Sequence, residues 1–305
     1  MKRFIITVDT EGDNLWAWKP GETITTENAK YVDRFQKLCE NYSFIPVYLC
    51  NYEMIKDSFF CSYVSQKAME GKCEIGMHLH AWNSPPIIEL NNIFNGRAYI
   101  TEFSREQMLD KHIFLRDFII ERTGITPTSY RSGRWATNEV LFSVLDEIGI
   151  KIDCSVTPGL TLEHCPGMTV KGGNSYIGYP SKPYKLTDSL IEVPMTTKRI
   201  KRFEGVSLKN SLGNLIKGKQ FWLRPAIHSF EEMVFLINQM EKEGIHYLEF
   251  MIHSSELMPG GSPYGKDDES VERIYQRMED VFKYVSGNYI GISLSDYYAE
   301  LKYSI

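Results

Sequence analysis

Short apolar runs rich in β-branched and aromatic residues alternate with amphipathic stretches along nearly the whole chain. This alternation constrains the fold more than any other feature. Strand-like runs fall at 4–8, 44–49, 73–77, 127–131, 150–155, 190–194, 247–252 and 289–293. Helical periodicity fills the intervals at 27–42, 53–70, 104–124, 137–149, from 229 onward, 268–285 and 295–302. In one of these helices Val140, Leu141, Val144, Leu145 and Ile148 make the core face, and in another Phe230, Met233, Val234, Ile237 and Met240 do. Ser104-Arg105-Glu106-Gln107 and Ser229-Phe230-Glu231-Glu232 are capping boxes, which fix two helix starts. Strands each followed by a helix or a long loop imply a parallel sheet, because parallel neighbours need long crossovers. At seven or eight strands, a closed or nearly closed barrel is expected over an open doubly wound sheet. No Gly-x-Gly-x-x-Gly follows the first strand, and no P-loop occurs. No repeat, low-complexity tract or linker divides the chain, so one domain spanning 1–305 is expected.

Composition narrows the function classes. A chain of 305 residues with 43% hydrophobic and 24% charged residues can bury a large core as a soluble globular protein. The net charge of −5 gives no general attraction to nucleic acid or anionic lipid. The apolar run after Met1-Lys2-Arg3 is too short for a signal peptide, and no stretch approaches the ~20 apolar residues of a membrane span. Six cysteines, at 39, 50, 61, 73, 154 and 165, lack paired spacing and read as reduced thiols in a cytoplasmic protein. Cys154, His164 and Cys165 could start a structural zinc site, but no fourth ligand stands in register.

Chemistry-bearing residues cluster where strands should end. The clusters are Asp9/Glu11/Asp13, His78/His80, Arg131/Arg134/Trp135 and His253/Glu256. Within Glu74-Ile75-Gly76-Met77-His78-Leu79-His80-Ala81-Trp82, strand alternation puts His78 and His80 on one side, about 7 Å apart along the chain. A slight bend lets both reach one metal. In parallel α/β barrels the C-terminal rim of the strands is where sites are built. Carboxylates, imidazoles and a guanidinium meeting there suit a metal-assisted hydrolase. The plainer readings are that Asp13 caps a turn, Arg134 is a solvated surface group and Glu256 caps a loop. Trp16, Trp18, Trp82, Trp135 and Tyr264 flank the clusters, as packing residues or as platforms for sugar rings. His228 is a candidate cleft residue, whereas His112 and His246 are expected to be structural.

These residues carry a family resemblance. Thr7-Val8-Asp9, Glu74-Ile75-Gly76-x-His78, Tyr130-Arg131-Ser132-Gly133, Asp153-Cys154-Ser155 and Met251-Ile252-His253 resemble, in order and approximate spacing, the five motifs of the polysaccharide deacetylase family. That family is also called NodB-homology, or carbohydrate esterase family 4. Gly76-Met77-His78-Leu79-His80-Ala81-Trp82 and His253-Ser254-Ser255-Glu256-Leu257-Met258-Pro259-Gly260 resemble a divergent branch found in surface-polysaccharide biosynthesis. The resemblance implies an α/β fold, a distorted (β/α)7 barrel of parallel strands. It also implies one divalent metal ion, usually zinc, and hydrolysis of N-acetyl groups on sugars. Two departures stand out: Asp9 is followed by Thr10 instead of a second aspartate, and Trp82 occupies the position of a second histidine.

With those departures, the resemblance implies Asp9 as general base, held by Arg131, and His253 as an imidazolium acid for the leaving amine. Glu11, His78 and His80 would hold the metal, with Asp9 and Asp13 open as alternative carboxylate ligands. Trp82, Trp135, Glu256 and Tyr264 would contact substrate. The substrate would be an N-acetylated sugar, free, nucleotide-linked or lipid-linked. Two other readings stay open: a same-fold hydrolase of another amide, resembling allantoinase, and an inactive glycan-binding pseudoenzyme.

Overall fold

The structure, a computed structural model, describes residues 2–200 and 218–305. Its strands are β1 (Lys2–Thr10), β2 (Pro46–Cys50), β3 (Glu74–Leu79), β4 (Ser129–Ser132), β5 (Ile152–Asp153), β6 (Tyr184–Lys185), β7 (Ile191–Glu192), β8 (Thr197–Ile200), β9 (Lys219–Trp222), β10 (Tyr247–His253) and β11 (Tyr289–Gly291). The main sheet runs β10-β1-β2-β3-β4-β5-β7 with every neighbouring pair parallel, as the alternation predicts. Short β6 adds antiparallel to β7, and β11 joins the beginning of β1. The sheet curls into a barrel without a full ladder between β7 and β10. The antiparallel β8–β9 pair lies beside β10, with Glu249 N donating to Thr196 Oγ1 (2.8 Å) and Met251 N to Leu223 O (3.1 Å).

The helices are α1 (Val32–Asn41), α2 (Tyr52–Lys56), α3 (Ser58–Met69), α4 (Arg105–Thr123), α5 (Glu139–Glu147), α6 (Phe230–Lys242), α7 (Asp268–Ser286) and α8 (Leu294–Leu301). Both capping boxes form: Ser104 and Gln107 close the start of α4, Ser229 and Glu232 that of α6. Gly124 ends α4 in the left-handed region at φ 73°, a conformation costly for a side chain with a Cβ. Strand β1 is buried from Phe4 to Thr10, the pattern of a central parallel strand covered on both faces. A continuous cluster of buried hydrophobic residues extends from Phe4 to Leu301.

Three details differ from the sequence reading. The helix expected over 53–70 is two, because Asp57 adopts an extended conformation and its carboxylate caps α3 by accepting from Phe60 N (2.9 Å). The helix expected from 27 begins with a 3-10 turn, Glu27–Tyr31. The β8–β9 hairpin and β6 were not anticipated. Their sequences, Thr-Lys-Arg-Ile, Lys-Gln-Phe-Trp and Tyr-Lys, are too short and too polar to show a strand period.

Candidate active site

The ends of β1, β3, β4 and β10 bring the four polar clusters to one rim. In register, Asp9 pairs with His253 and His78 with Arg131. Glu11 lies just beyond β1, where its backbone is fixed from two sides: Glu11 N donates to Ser254 Oγ (3.1 Å), and Asn28 Nδ2 donates to Glu11 O (2.8 Å). Its carboxylate meets both histidines. Glu11 Oε2 lies 2.6 Å from His80 Nε2 and 3.4 Å from His78 Nε2, and the two Nε2 atoms are 3.1 Å apart. Nδ1 of His78 sits 2.9 Å from the backbone carbonyl of Arg131, so it carries a proton there and Nε2 is the nitrogen turned to the cluster. The His80 ring rests against Gly133, where an added Cβ would come within 2.5 Å of Nδ1. That nitrogen has no partner among the described residues, so His80 is the less firmly oriented of the two.

One carboxylate oxygen and two imidazole nitrogens, all buried and all within 4.8 Å of one another, fit a zinc-class ion. A tetrahedral site would separate its nitrogens by about 3.3 Å, close to the spacing present. Two alternatives fall away. Asp13 accepts from Thr25 Oγ1 and from Asn28 N, so it caps the loop after β1, the plainer of its two readings. Cys154 Sγ donates to Tyr130 O, and no metal-binding group at Cys154, His164 and Cys165 forms among the described residues.

Beside the cluster, Asp9 Oδ1 accepts from Arg131 Nη1 at 2.6 Å, the pairing that the motifs imply. The Arg131 guanidinium is fully buried with all three nitrogens engaged, donating also to Cys154 O, Thr7 Oγ1 and Glu249. Burial alone would push the Asp9 carboxyl up, but Arg131, with His78 and His253, outweighs it and holds Asp9 below its ordinary range. Glu11 is likewise held well below, because bonds from His78 and His80 exceed its burial cost. Glu249 takes the opposite course, with burial lifting it to about 7 despite Arg131.

His253 departs from the expectation of an imidazolium. Its Nε2 faces Asp9 Oδ2 (3.7 Å) and Glu11 Oε1 (3.8 Å), while its Nδ1 lies 2.9 Å from Nη2 of Arg224. A guanidinium has only donors, so Nδ1 must accept and the single ring proton resides on Nε2. Burial and the Arg224 charge both push the imidazole pKa down. Arg224 sits just past β9 and is buried with Glu256, to which it donates. No motif pointed to it. The only signal was an arginine closing an apolar run, Phe221-Trp222-Leu223-Arg224.

The site floors a cleft of about 990 Å3 with mainly apolar walls, among them Trp16, Trp18, Trp82, Trp135 and Met168. Trp82 packs on His80 with ring centroids 4.3 Å apart. Trp135 reaches the cleft from a left-handed backbone pair, Arg134 (φ 58°) and Trp135 (φ 51°). Such strain persists only when neighbours fix it. Arg134 supplies the fixing, lying 3.8 Å over the Tyr99 ring and donating to Pro166 O (3.0 Å), so it is no solvated surface group. Two expected substrate contacts are elsewhere. Glu256 is fully buried, held by Arg224 and accepting from His253 N (3.0 Å). Tyr264 packs edge-on against Trp16 and is not a lining residue of the cleft. His228 is not one either, since its Nδ1 pairs with Glu232 (3.0 Å).

No protein-family profile and no curated protein sequence matches the chain. Solved structures do, and the likeness is one of fold, a curled, mostly parallel α/β barrel shared with a polysaccharide deacetylase. A Mycobacterium smegmatis protein assigned as a polysaccharide deacetylase superposes with a TM-score of 0.57 at 14% identity, covering 99% of this chain and 91% of that one. The peptidoglycan deacetylase PdaC of Bacillus subtilis gives a TM-score of 0.45 at 11% identity, over 99% of this chain and 92% of its own. A CE4 pseudoenzyme of Bacillus anthracis gives 0.48 at 8% identity, over 97% and 65%. The last two likenesses are too loose to carry an argument. No described helix is long and apolar enough to cross a membrane.

Proposed function

We propose that the chain is a single catalytic domain that removes N-acetyl groups from an amino sugar in surface-polysaccharide biosynthesis, using one divalent metal ion, with zinc the best fit. The observation that carries this reading is the meeting of Glu11, His78 and His80 beside a buried Asp9–Arg131 pair, at the strand ends of a deacetylase fold. An ion held by those three residues would supply Lewis acidity to the acyl carbonyl and to the attacking water. Asp9, kept ionised and aimed by Arg131, takes the proton of that water and passes it to the departing amine. The Nε2–H of neutral His253 donates to the charge that builds on the acyl oxygen. Trp82 and Trp135 offer aromatic faces to the sugar ring. Six free thiols, five of them buried, favour a reducing compartment such as the cytoplasm.

The test combines metal analysis of the purified protein with acetate release from a panel of free, nucleotide-linked and lipid-linked N-acetyl sugars. The reading expects about one metal ion per chain and acetate from at least one sugar. Stoichiometric metal without acetate from any of them would point to another amide. Absence of both would leave a glycan-binding pseudoenzyme.

A further inference from the structure

Two arginines line the catalytic cleft without a part in the chemistry assigned above: Arg97, between β3 and α4, and Arg134, just past β4. They are neighbours, since Arg134 Nη1 donates to Arg97 O. Both are half-buried. Backbone carbonyls engage only some of their donors. Arg97 donates to Leu15 O and Trp18 O, each at 2.7 Å, and Arg134 donates to Arg97 O and Pro166 O. A guanidinium has five N–H groups, so more than half stay open on each. Neither arginine forms an ion pair with a carboxylate among the described residues.

The carboxylates nearby are committed elsewhere. Asp9 is paired with Arg131, and Glu11 with His78 and His80. Glu102, whose charge acts on Arg134, accepts from Tyr99 N (2.6 Å) and Thr169 Oγ1 (2.7 Å). Glu89 lines the cleft but is exposed, so water screens it. Burial and then the Arg134 charge lower the pKa of Arg97, and burial lowers that of Arg134. Two adjacent, half-buried like charges cost free energy that an anion between them would return.

The position of the pair limits what that anion belongs to. The Arg97 guanidinium lies 5.6 Å from the centre of the Trp82 ring, which itself packs on His80 at 4.3 Å. One indole therefore separates Arg97 from the cluster of Glu11, His78 and His80. A pyranose bearing an acetamido group and a phosphate ester keeps the two no further apart than its own ring. Planar guanidinium forks match phosphate oxygens better than any other side chain. Building on the deacetylase reading, we propose that Arg97 and Arg134 form an anion subsite for a phosphate ester on the substrate. The N-acetylated sugar is then delivered as a sugar phosphate, on a nucleotide or a lipid carrier, and a free neutral sugar is a poor substrate.

The test uses N-acetylglucosamine and its 1-phosphate as probes, with binding followed by calorimetry on metal-loaded and metal-free protein, and acetate release followed separately. Wild type is expected to bind the 1-phosphate at least about tenfold more tightly in both forms, by a margin that narrows as salt rises. Arg97→Gln should remove most of that margin, and Arg97→Lys, which keeps the charge without the fork, should retain part of it. Equal affinity for the two probes in wild type overturns the subsite. Equal weakening of both by Arg97→Gln does so too, and leaves Arg97 a clamp on the Leu15 and Trp18 carbonyls. A preference confined to metal-loaded protein also overturns it, because the phosphate then sits on the ion. With the subsite upheld, nucleotide-linked and prenyl diphosphate-linked N-acetylglucosamine separate the carriers, the tighter of the two naming the source. A phosphate preference that depends on Arg97, without acetate from any probe, keeps the subsite and removes the deacetylase reading. Acetate released equally well from sugar and sugar phosphate, whatever stands at position 97, does the reverse.

Discussion

Nη2 of Arg224 lies 2.9 Å from Nδ1 of His253, and the same guanidinium donates to the buried carboxylate of Glu256. Glu256 Oε1 lies 3.8 Å from the same nitrogen and favours an imidazolium, but burial and the Arg224 charge outweigh it. The His253 imidazole is therefore pushed towards its neutral form, with its proton facing Asp9 and Glu11. Turnover should not fall from about pH 7 to pH 9 through loss of an imidazolium proton. His253→Ala should still lower kcat about 10²–10³-fold by removing a donor to the developing charge. A basic limb in this range that disappears in His253→Ala would restore the imidazolium acid.

The same pair makes a stability prediction. Arg224→Met leaves Glu256 buried without its cation, which should cost about 3–5 kcal/mol. Removing both charges in Arg224→Met/Glu256→Gln should recover much of that loss, because no isolated charge then remains buried. Urea unfolding of the three proteins measures it. A single variant as stable as wild type would mean that the contact contributes nothing.

Metal content tests the ligand set directly. His78→Ala and Glu11→Gln should each purify with little metal, since each removes one of three donors. The fold should persist, because these side chains lie at the rim and not in the apolar core. Asp13→Asn should keep its metal. Full occupancy in His78→Ala, measured by elemental analysis, would break the assignment.

Asp9→Asn separates base from ligand. The amide keeps the shape but cannot take a proton, so kcat should fall about 10²–10⁴-fold with metal content unchanged. Loss of metal together with activity would instead make Asp9 a ligand.

Much of this was legible in the chain because strand ends are local. Apolar runs predicted β1, β3, β4 and β10, and the polar residue closing each run reached the rim. Glu11, His78 and His80 met as their spacing allowed, since His78 and His80 stand two residues apart at the end of one strand. Arg224 was not legible, because its role depends on the β8–β9 hairpin carrying it to β10, a pairing with no sequence period of its own. Glu256 takes its plainer reading, capping the turn after β10, and only its expected contact with substrate fails, for the same reason. A carboxylate three residues past His253 suits a substrate contact until the buried cation beside it is known.

The interior behind the site carries the last prediction. Asp153 and Glu192 are cross-strand neighbours on β5 and β7, both fully buried. One oxygen of each is satisfied, Asp153 Oδ1 by Ser155 Oγ (2.5 Å) and Glu192 Oε1 by Val156 N (2.9 Å). Asp153 Oδ2 and Glu192 Oε2 have no donor among the described residues. A single proton shared between the two carboxyls satisfies both oxygens and avoids two adjacent buried charges. Burial accordingly lifts Asp153 to about 6 and Glu192 well above its usual range. A carboxyl whose folded pKa exceeds its unfolded value adds stability that is complete below the unfolded pKa and is lost as pH rises through the folded one. For Asp153 the loss runs from about pH 4 to just above pH 6. Asp153→Asn carries a donor at every pH, so its stability relative to wild type should rise across that window. A tenfold change in proton affinity is worth about 1.4 kcal/mol, which sets the scale of the gain. Urea unfolding of both proteins at pH 4, 5, 6 and 7, metal-free throughout, reads it out, and a stability difference that is flat with pH would mean the pair shares no proton.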